Sequence, residues 1–309
     1  MGKKNPNSIY FNSTSPNEIL RILQAFPPKC SSGWDNVPQK VIKSSPLNIL
    51  KALSHIFNLS IKDGIFPQKM KIAKVIPIFK EGSRLNVENY RPISLLQVFS
   101  KILERIIHNR LTSFLSYNNI LYAKQFGFRK KHSTSHATSY LASEIHSTLD
   151  SKNKAACVFM DLSKAFDTLN LDILLKKLSF YGIRGIANSW FKSYLNGRSQ
   201  YVDINSHKSS NTFNIFHGVP QGSILGPLLF DLYINDFWRC LEFSESIMFA
   251  DDTTLVFKGN HIDTIKSCVN KDLLSAANWL AENKLSLNVK KDESYVYLNL
   301  QEPNIYYRI

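Results

Sequence analysis

Cysteine and long apolar stretches are both scarce in this sequence. Only 4 of its 309 residues are Cys, and they form neither a CxxC pair nor a spacing shared with paired histidines, which argues against a structural zinc site or a disulfide framework. No uninterrupted apolar run approaches the roughly 20 residues that a membrane-spanning helix requires, and the residues after Met1 lack the apolar core of a secretory signal. These absences predict an intracellular chain, in the nucleus or the cytoplasm, that is not secreted and has no membrane partner.

Acidic residues are few in the first half of the chain. Residues 1–150 carry 21 basic and 8 acidic side chains, residues 151–309 carry 17 and 16, and the formal net charge is +14. A solubility surface would account for an evenly spread positive charge. Because the excess is concentrated in one half, it favours a polyanionic partner whose phosphates release condensed counterions, and we therefore expect nucleic acid.

The spacing of apolar residues predicts both helices and strands. The helices are expected at residues 17–23, 47–61, 94–115, 172–180, 187–195, 223–237 and 262–283. The strands are expected at residues 73–79, 155–160, 201–204, 246–250, 253–257 and 295–298. Pro77 favours an edge position for the first strand, and residues 124–136 read as a polar loop. Since the elements do not alternate regularly as βαβ units, the sequence predicts an α+β fold, with residues 1–60 as a helical lead-in.

Three carboxylates interrupt apolar segments. Asp161 ends a predicted buried strand, and Asp251 and Asp252 lie at the tip of a predicted hairpin. Adjacent carboxylates repel one another unless a cation neutralises them, and Mg²⁺ prefers carboxylate oxygens together with substrate phosphates. Asp is also common in ordinary turns, so a polar turn without function is the alternative interpretation.

Five segments together carry a family resemblance. In chain order they are NYRPISL (89–95), QFGFR (125–129), VFMDLSKAFD (158–167), GVPQGSILGP (218–227) and FADD (249–252). Their residues and their order resemble the motifs of reverse transcriptases from non-LTR (LINE-type) retrotransposons, especially the jockey-like elements. The resemblance covers about residues 29–298.

The resemblance implies a fold and an activity. The fold would be the right-hand polymerase arrangement, with a palm (an antiparallel sheet with packed helices) at about 151–300 and fingers at about 61–150 of a reverse transcriptase domain spanning 61–309. The thumb would be absent or truncated. The activity would be RNA-directed DNA polymerisation, which adds dNTPs to a 3′-hydroxyl DNA primer on an RNA template with two Mg²⁺ ions, or with Mn²⁺ as a substitute.

The resemblance also implies roles for individual residues. Asp161, Asp251 and Asp252 would be catalytic and would hold the metal ions, together with the backbone carbonyl of Leu162. The residues that would bind the dNTP are Lys80, Arg91, Phe166, Gln221, Gly222 and Lys291. The ring of Phe166 would exclude a 2′-hydroxyl. Lys291 is followed by Asp292 where the family usually has Thr, so the two side chains could pair instead.

Two other functions remain open from the sequence. The first is an inactive, basic relic that binds nucleic acid without the thumb. The second is a metal-dependent nuclease that uses the same acids, although this leaves Phe166 and the Gln221–Gly222 loop without a role.

Overall fold

A computed structural model of the protein describes residues 4–27, 31–44, 47–204, 207–209, 211–288, 293–297 and 305–307. The helices in this part of the chain are α1 (Pro16–Ala25), α2 (Gln39–Lys43), α3 (Leu47–Asp63), α4 (Val98–Tyr117), α5 (Thr134–Asp150), α6 (Leu171–Tyr181), α7 (Ile186–Leu195), α8 (Gly226–Ile234) and α9 (Ile262–Glu282). The strands are β1 (Ile72–Phe79), β2 (Tyr90–Leu95), β3 (Lys154–Met160), β4 (Arg198–Ile204), β5 (His207–Lys208), β6 (Phe213–Ile215), β7 (Ser244–Phe249), β8 (Asp252–Gly259), β9 (Glu293–Tyr297) and β10 (Ile305–Tyr307). Among the helices described, none has the length and apolar character needed to cross a membrane. The predicted α+β class is confirmed.

The chain packs as two compact units, each built from separate stretches of sequence. The first unit contains residues 119–170 and 229–309, and the second contains residues 4–118 and 171–228. These limits do not coincide with the expected divisions at residues 60, 150 and 300. The expected boundaries separate the fingers from the palm as functional regions, and this separation stays a prediction.

The first unit is organised around an antiparallel sheet in the order β10-β9-β3-β8-β7. β3 lies at its centre, and residues 155–158 are buried, as its continuous apolar run predicts. Helix α5 supplies Ala137 to a core cluster that includes Cys157, Ile247 and Val256. Burial raises the pKa of the Cys157 thiol to about 12, so this cysteine is a packing residue rather than a reactive one.

The second unit contains a mixed sheet in the order β2-β1-β4-β5, with β6 also paired to β4. β1 is antiparallel to β2 and parallel to β4. The edge position predicted for β1 is therefore wrong. Within β1, only residues 72–75 pair with β4. Pro77 lies beyond these pairs, so its missing N–H removes no hydrogen bond to β4.

An aromatic cluster forms the core of the second unit between α3 and α7. Trp190 stacks on Tyr194 with ring centroids 5.5 Å apart and meets Phe66 edge-on at 5.4 Å. The indole N–H of Trp190 donates to Ser60 Oγ at 3.0 Å, which satisfies its buried polar group.

Several predicted boundaries are wrong, and among them the helix expected over 223–237 is shorter at both ends, as α8 spans Gly226–Ile234. The helix expected from residue 94 begins at Val98, because residues 90–95 extend along β1 as β2. The loop expected over 124–136 ends early, since α5 begins at Thr134. Ser133 caps that helix by accepting a hydrogen bond from the His136 N–H at 3.3 Å, a helix-start signal that was present in the sequence.

Candidate active site

The sheet of the first unit places three carboxylates at one of its ends. The last β3–β8 pair joins Met160 to Thr253, so Asp161 directly follows the ladder at the end where Asp252 begins β8. Asp251 belongs to the two-residue turn between β7 and β8, whose last pair is Phe249 with Asp252. Asp161 and Asp251 are half-buried, and Asp252 is exposed. The antiparallel register thus brings together acids that lie about 90 residues apart in sequence.

Asp161 is held by a segment that follows α9. The side-chain amide of Asn288 donates to Asp161 Oδ2 at 2.9 Å, and the Asn288 backbone N–H donates to the Asp161 carbonyl at 2.8 Å. Ser163 N–H donates to the Ser286 carbonyl at 2.9 Å. Asn288 therefore orients the carboxylate that the motif predicts to be catalytic. The sequence analysis did not identify this residue, because nothing local to it indicates a partner 127 positions away.

The donor set at this sheet end is suited to magnesium. In the described ranges, no group of three or more His, Cys, Asp or Glu side chains could hold a metal ion. Mg²⁺, however, usually binds one or two carboxylates and completes its octahedron with water and substrate phosphates. Asp161 and Asp251 are carboxylates of the kind that such an incomplete site uses, and magnesium binding here stays a prediction. Leu162 is buried and forms an isolated antiparallel β-bridge with Leu287. The role of its backbone carbonyl as a metal ligand stays a prediction.

Phe166 packs between two other aromatic side chains. It stacks on Phe230 with centroids 4.9 Å apart and meets Phe128 edge-on at 5.8 Å. Phe166 is half-buried, so part of its ring surface remains accessible while two neighbours restrict its rotamers. Such a side chain can act as a steric wall, because displacing it would disturb both contacts.

Two predicted dNTP ligands lie on one hairpin of the second unit. Arg91 in β2 faces Ile78 in β1, and the Lys80 N–H, just beyond β1, donates to the Asn89 carbonyl at 2.8 Å. By strand alternation, Lys80 and Arg91 share one face of this hairpin. Both are exposed. Lys80 pairs with Glu81 at 3.0 Å, an exposed ion pair of the kind that contributes little to stability and can be exchanged for a phosphate.

Gln221 and Gly222 contact the outer edge of β2. The Ser94 N–H donates to the Gln221 carbonyl at 2.8 Å. Gly222 has φ of +122°, and a Cβ at this position would lie 2.6 Å from the Ser94 carbonyl oxygen. Only glycine permits this approach, so the loop and β2, which carries Arg91, form one structure within the second unit. Lys291, the last predicted ligand, lies outside the described residues.

We expect Gly222→Ala to lower the free energy of unfolding by about 1–3 kcal/mol, because the backbone would be strained and the new methyl would overlap Ser94. Gly185→Ala is the matched control. Gly185 also has positive φ, +57°, but no atom lies within 4 Å of its Cβ position, so only the conformational cost of about 1 kcal/mol applies. Urea unfolding measures both, and equal losses would contradict the steric explanation.

A buried acid in α8 has no hydrogen-bond partner. Asp231 is 1% exposed, and neither carboxyl oxygen is hydrogen-bonded. Burial raises the pKa of Asp231 well above its usual value, and the positive charge of Arg129 opposes this only in part. Because the folded chain retains a proton that the unfolded chain releases, stability falls as pH rises above about 4.

Asp231→Asn should therefore stabilise the fold at pH 7 by about 1–3 kcal/mol, since the amide has no proton to retain. The difference from wild type should shrink as pH falls toward about 4 and level off below it, where the acid becomes neutral in the unfolded chain as well. Urea unfolding at several pH values tests this. A gain independent of pH, or a loss at pH 7, would mean that Asp231 is ionised in the folded protein.

Comparison with known proteins identifies the family. Residues 78–303 match the family described as reverse transcriptase (RNA-dependent DNA polymerase). The chain belongs to this family. Within it, the relatives found confirm the resemblance to jockey-like elements: the sequence is 32% identical over 289 residues to the probable RNA-directed DNA polymerase from transposon BS of Drosophila melanogaster. It is 29% identical over 303 residues to the RNA-directed DNA polymerase from mobile element jockey of the same species.

These alignments cover 89% and 94% of this chain but only 31% and 32% of the two relatives. The chain thus spans about a third of the length of the curated relatives it matches. Among solved structures, the apo telomerase of Candida tropicalis, truncated from its C-terminal domain, matches with a TM-score of 0.53 and 16% identity, over 81% of this chain and 55% of that one. This similarity concerns the fold.

Proposed function

We propose that this chain is the catalytic part of an RNA-directed DNA polymerase, which adds dNTPs to the 3′-hydroxyl of a DNA primer paired to an RNA template. The observation that carries the proposal is the position of Asp161, Asp251 and Asp252 at the same end of the sheet in a chain of the reverse transcriptase family. The basic excess of residues 1–150 supports a nucleic-acid partner.

Asp161 and Asp251 would hold two Mg²⁺ ions, with Asp252 in support. Bound there, the ions would supply Lewis-acid stabilisation for the attacking and leaving oxygens. The protein's part is to fix the carboxylates before substrate arrives, and the Asn288 hydrogen bond to Asp161 does this for the first acid. Loss of such an orienting partner typically costs about 10–100-fold in metal affinity or activity.

The remaining residues would bind and select the nucleotide. Arg91 would grip the triphosphate through its planar fork, and Lys80 would contribute a point charge. Gln221 and Gly222 would lie against the nascent base pair, with the absence of a side chain on Gly222 allowing close approach of the backbone. Phe166, restrained by Phe128 and Phe230, would exclude nucleotides that carry a 2′-hydroxyl.

Primer extension tests the proposal. The purified chain should extend a DNA primer on an RNA template with Mg²⁺ and dNTPs, should stop when EDTA is added, and should resume when Mg²⁺ is restored. RNA binding that weakens with salt but never leads to incorporation would instead support an inactive relic. Cleavage of the template in the absence of dNTPs would support a nuclease.

A further inference from the structure

The turn that carries Asp251 contains a strained residue. Ala250 has φ of +56°, in the left-handed region that glycine normally occupies in tight hairpins. A side chain in this conformation costs of order 1 kcal/mol or more and persists only where the surroundings determine the backbone. The conformation of Ala250 also sets the path of the chain into Asp251, the next residue.

One buried side chain contacts both backbone polar groups of Ala250. Gln125 is 2% exposed. Its Oε1 accepts hydrogen bonds from the Ala250 N–H at 3.2 Å and from the Gly127 N–H at 2.8 Å, and its Nε2 donates to the Ala250 carbonyl at 3.4 Å. An uncharged amide offers an acceptor oxygen and two donor N–H bonds on one planar group, so it can bond to both backbone polar groups at once.

The backbone around Gln125 fixes the amide in place. Phe126 N–H donates to the Met248 carbonyl at 2.7 Å, and Met248 N–H donates to the Lys124 carbonyl at 2.9 Å. These bonds attach residues 124–126 to the outer edge of β7. Gly127 completes the contact, because a Cβ there would lie 2.1 Å from the Ala250 nitrogen.

We propose that Gln125 is a positioning residue for Asp251. By bonding both polar groups of Ala250, its amide holds the turn in the left-handed conformation and so fixes where the Asp251 carboxylate stands before the metal binds. This inference rests on the proposed function, since it assigns Asp251 to the metal. The QFGFR segment (125–129) is one of the five segments that carry the family resemblance. The inference gives this segment a physical role at the turn that contains Asp251.

Gln125→Leu tests the inference, because leucine fills the same space without any hydrogen bond. The Mg²⁺ concentration for half-maximal primer extension should rise about 10–100-fold, the usual effect of removing a group that orients a metal ligand. The affinity for Mn²⁺ alone, measured from the free-ion signal in electron paramagnetic resonance, should fall by a similar factor.

Gln39→Leu is the matched control. Gln39 is also buried and donates one hydrogen bond, to the Pro27 carbonyl at 3.0 Å, but it belongs to the second unit. The Gln39→Leu variant should be less stable than wild type, with no change in the Mg²⁺ dependence of extension or in the affinity for Mn²⁺. If Gln125→Leu does not fold, Gln125→Met carries the same test, because its unbranched side chain keeps about the length of glutamine and lacks the amide group.

The outcomes separate this inference from the proposed function. If wild type extends primers and Gln125→Leu matches Gln39→Leu in metal dependence, the positioning role is overturned and the polymerase assignment stands. If wild type binds Mn²⁺ without extending primers, the polymerase assignment fails, and the Mn²⁺ affinities still decide the role of Gln125. A wild-type chain that neither extends nor binds Mn²⁺ overturns both.

Discussion

Asp251→Asn is expected to reduce primer extension by at least about 10³-fold while leaving the fold intact. The substitution preserves the shape of the side chain but removes its negative charge, and Mg²⁺ is usually held in proteins through one or two carboxylates. Stabilisation of the reacting oxygens by bound metal amounts to several kcal/mol, and each 1.36 kcal/mol corresponds to a factor of ten in rate. Single-turnover extension on an RNA template measures the loss.

Asp263→Asn provides the control for the charge change alone. Asp263 lies in the first turn of α9 with a side chain that is 99% exposed, so its replacement should leave extension unchanged. A thermal unfolding curve for each variant separates loss of catalysis from loss of structure. Extension at the wild-type rate by Asp251→Asn would show that the metal assignment is wrong, whatever the family of the chain.

Glu104→Ala is expected to lower the free energy of unfolding by about 3–5 kcal/mol, the cost of breaking a buried charged network by removing one partner. Glu104 is fully buried in α4. Its Oε1 accepts from Ser100 Oγ at 2.9 Å, and its Oε2 accepts from the backbone N–H groups of Ile224 at 2.7 Å and Leu225 at 3.4 Å.

A second charged group in the same buried region is Arg198, which is 1% exposed. Its Nη1 donates to the Tyr194 carbonyl at 3.0 Å, whereas its Nε and Nη2 have no hydrogen-bond partner. Burial raises the pKa of Glu104, and the charge of Arg198 counteracts part of this rise. Without Glu104, a buried guanidinium would lose the nearby acid, and two backbone N–H groups would lose their acceptor.

The same carboxyl group connects stability to the candidate site, because Ile224 and Leu225 lie two and three residues after Gly222. Glu104→Gln should cost less than Glu104→Ala, since the amide oxygen still accepts one backbone hydrogen bond. Glu88→Ala, at an exposed position, should change stability by less than about 0.5 kcal/mol. Chemical denaturation compares the three variants, and a loss for Glu104→Ala no larger than that for Glu88→Ala would contradict the network.

Much of the local structure followed from short-range patterns. The helices at α1, α3, α6, α7 and α9, and the β7–β8 hairpin with Asp251 and Asp252 at its tip, were predicted from periodicity and turn residues. These features depend on neighbours a few positions away, so one sequence contains the information. Strand β2 was not predicted, because Pro92 interrupts the alternation of apolar and polar residues that marks a strand. In the structure Pro92 lies opposite Pro77.

The sequence by itself therefore determined the family, the α+β class and the acids that we propose as catalytic, because each is written in contiguous residues. Only the tertiary structure decided which groups hold those residues: Asn288 for Asp161, Gln125 for the Ala250–Asp251 turn, and Glu104 for the loop after Gly222. These partners are separated by 120 to 127 positions. A hydrogen bond forms only when donor and acceptor lie about 3 Å apart. For residues more than 100 positions apart, folding alone brings the two atoms to that distance.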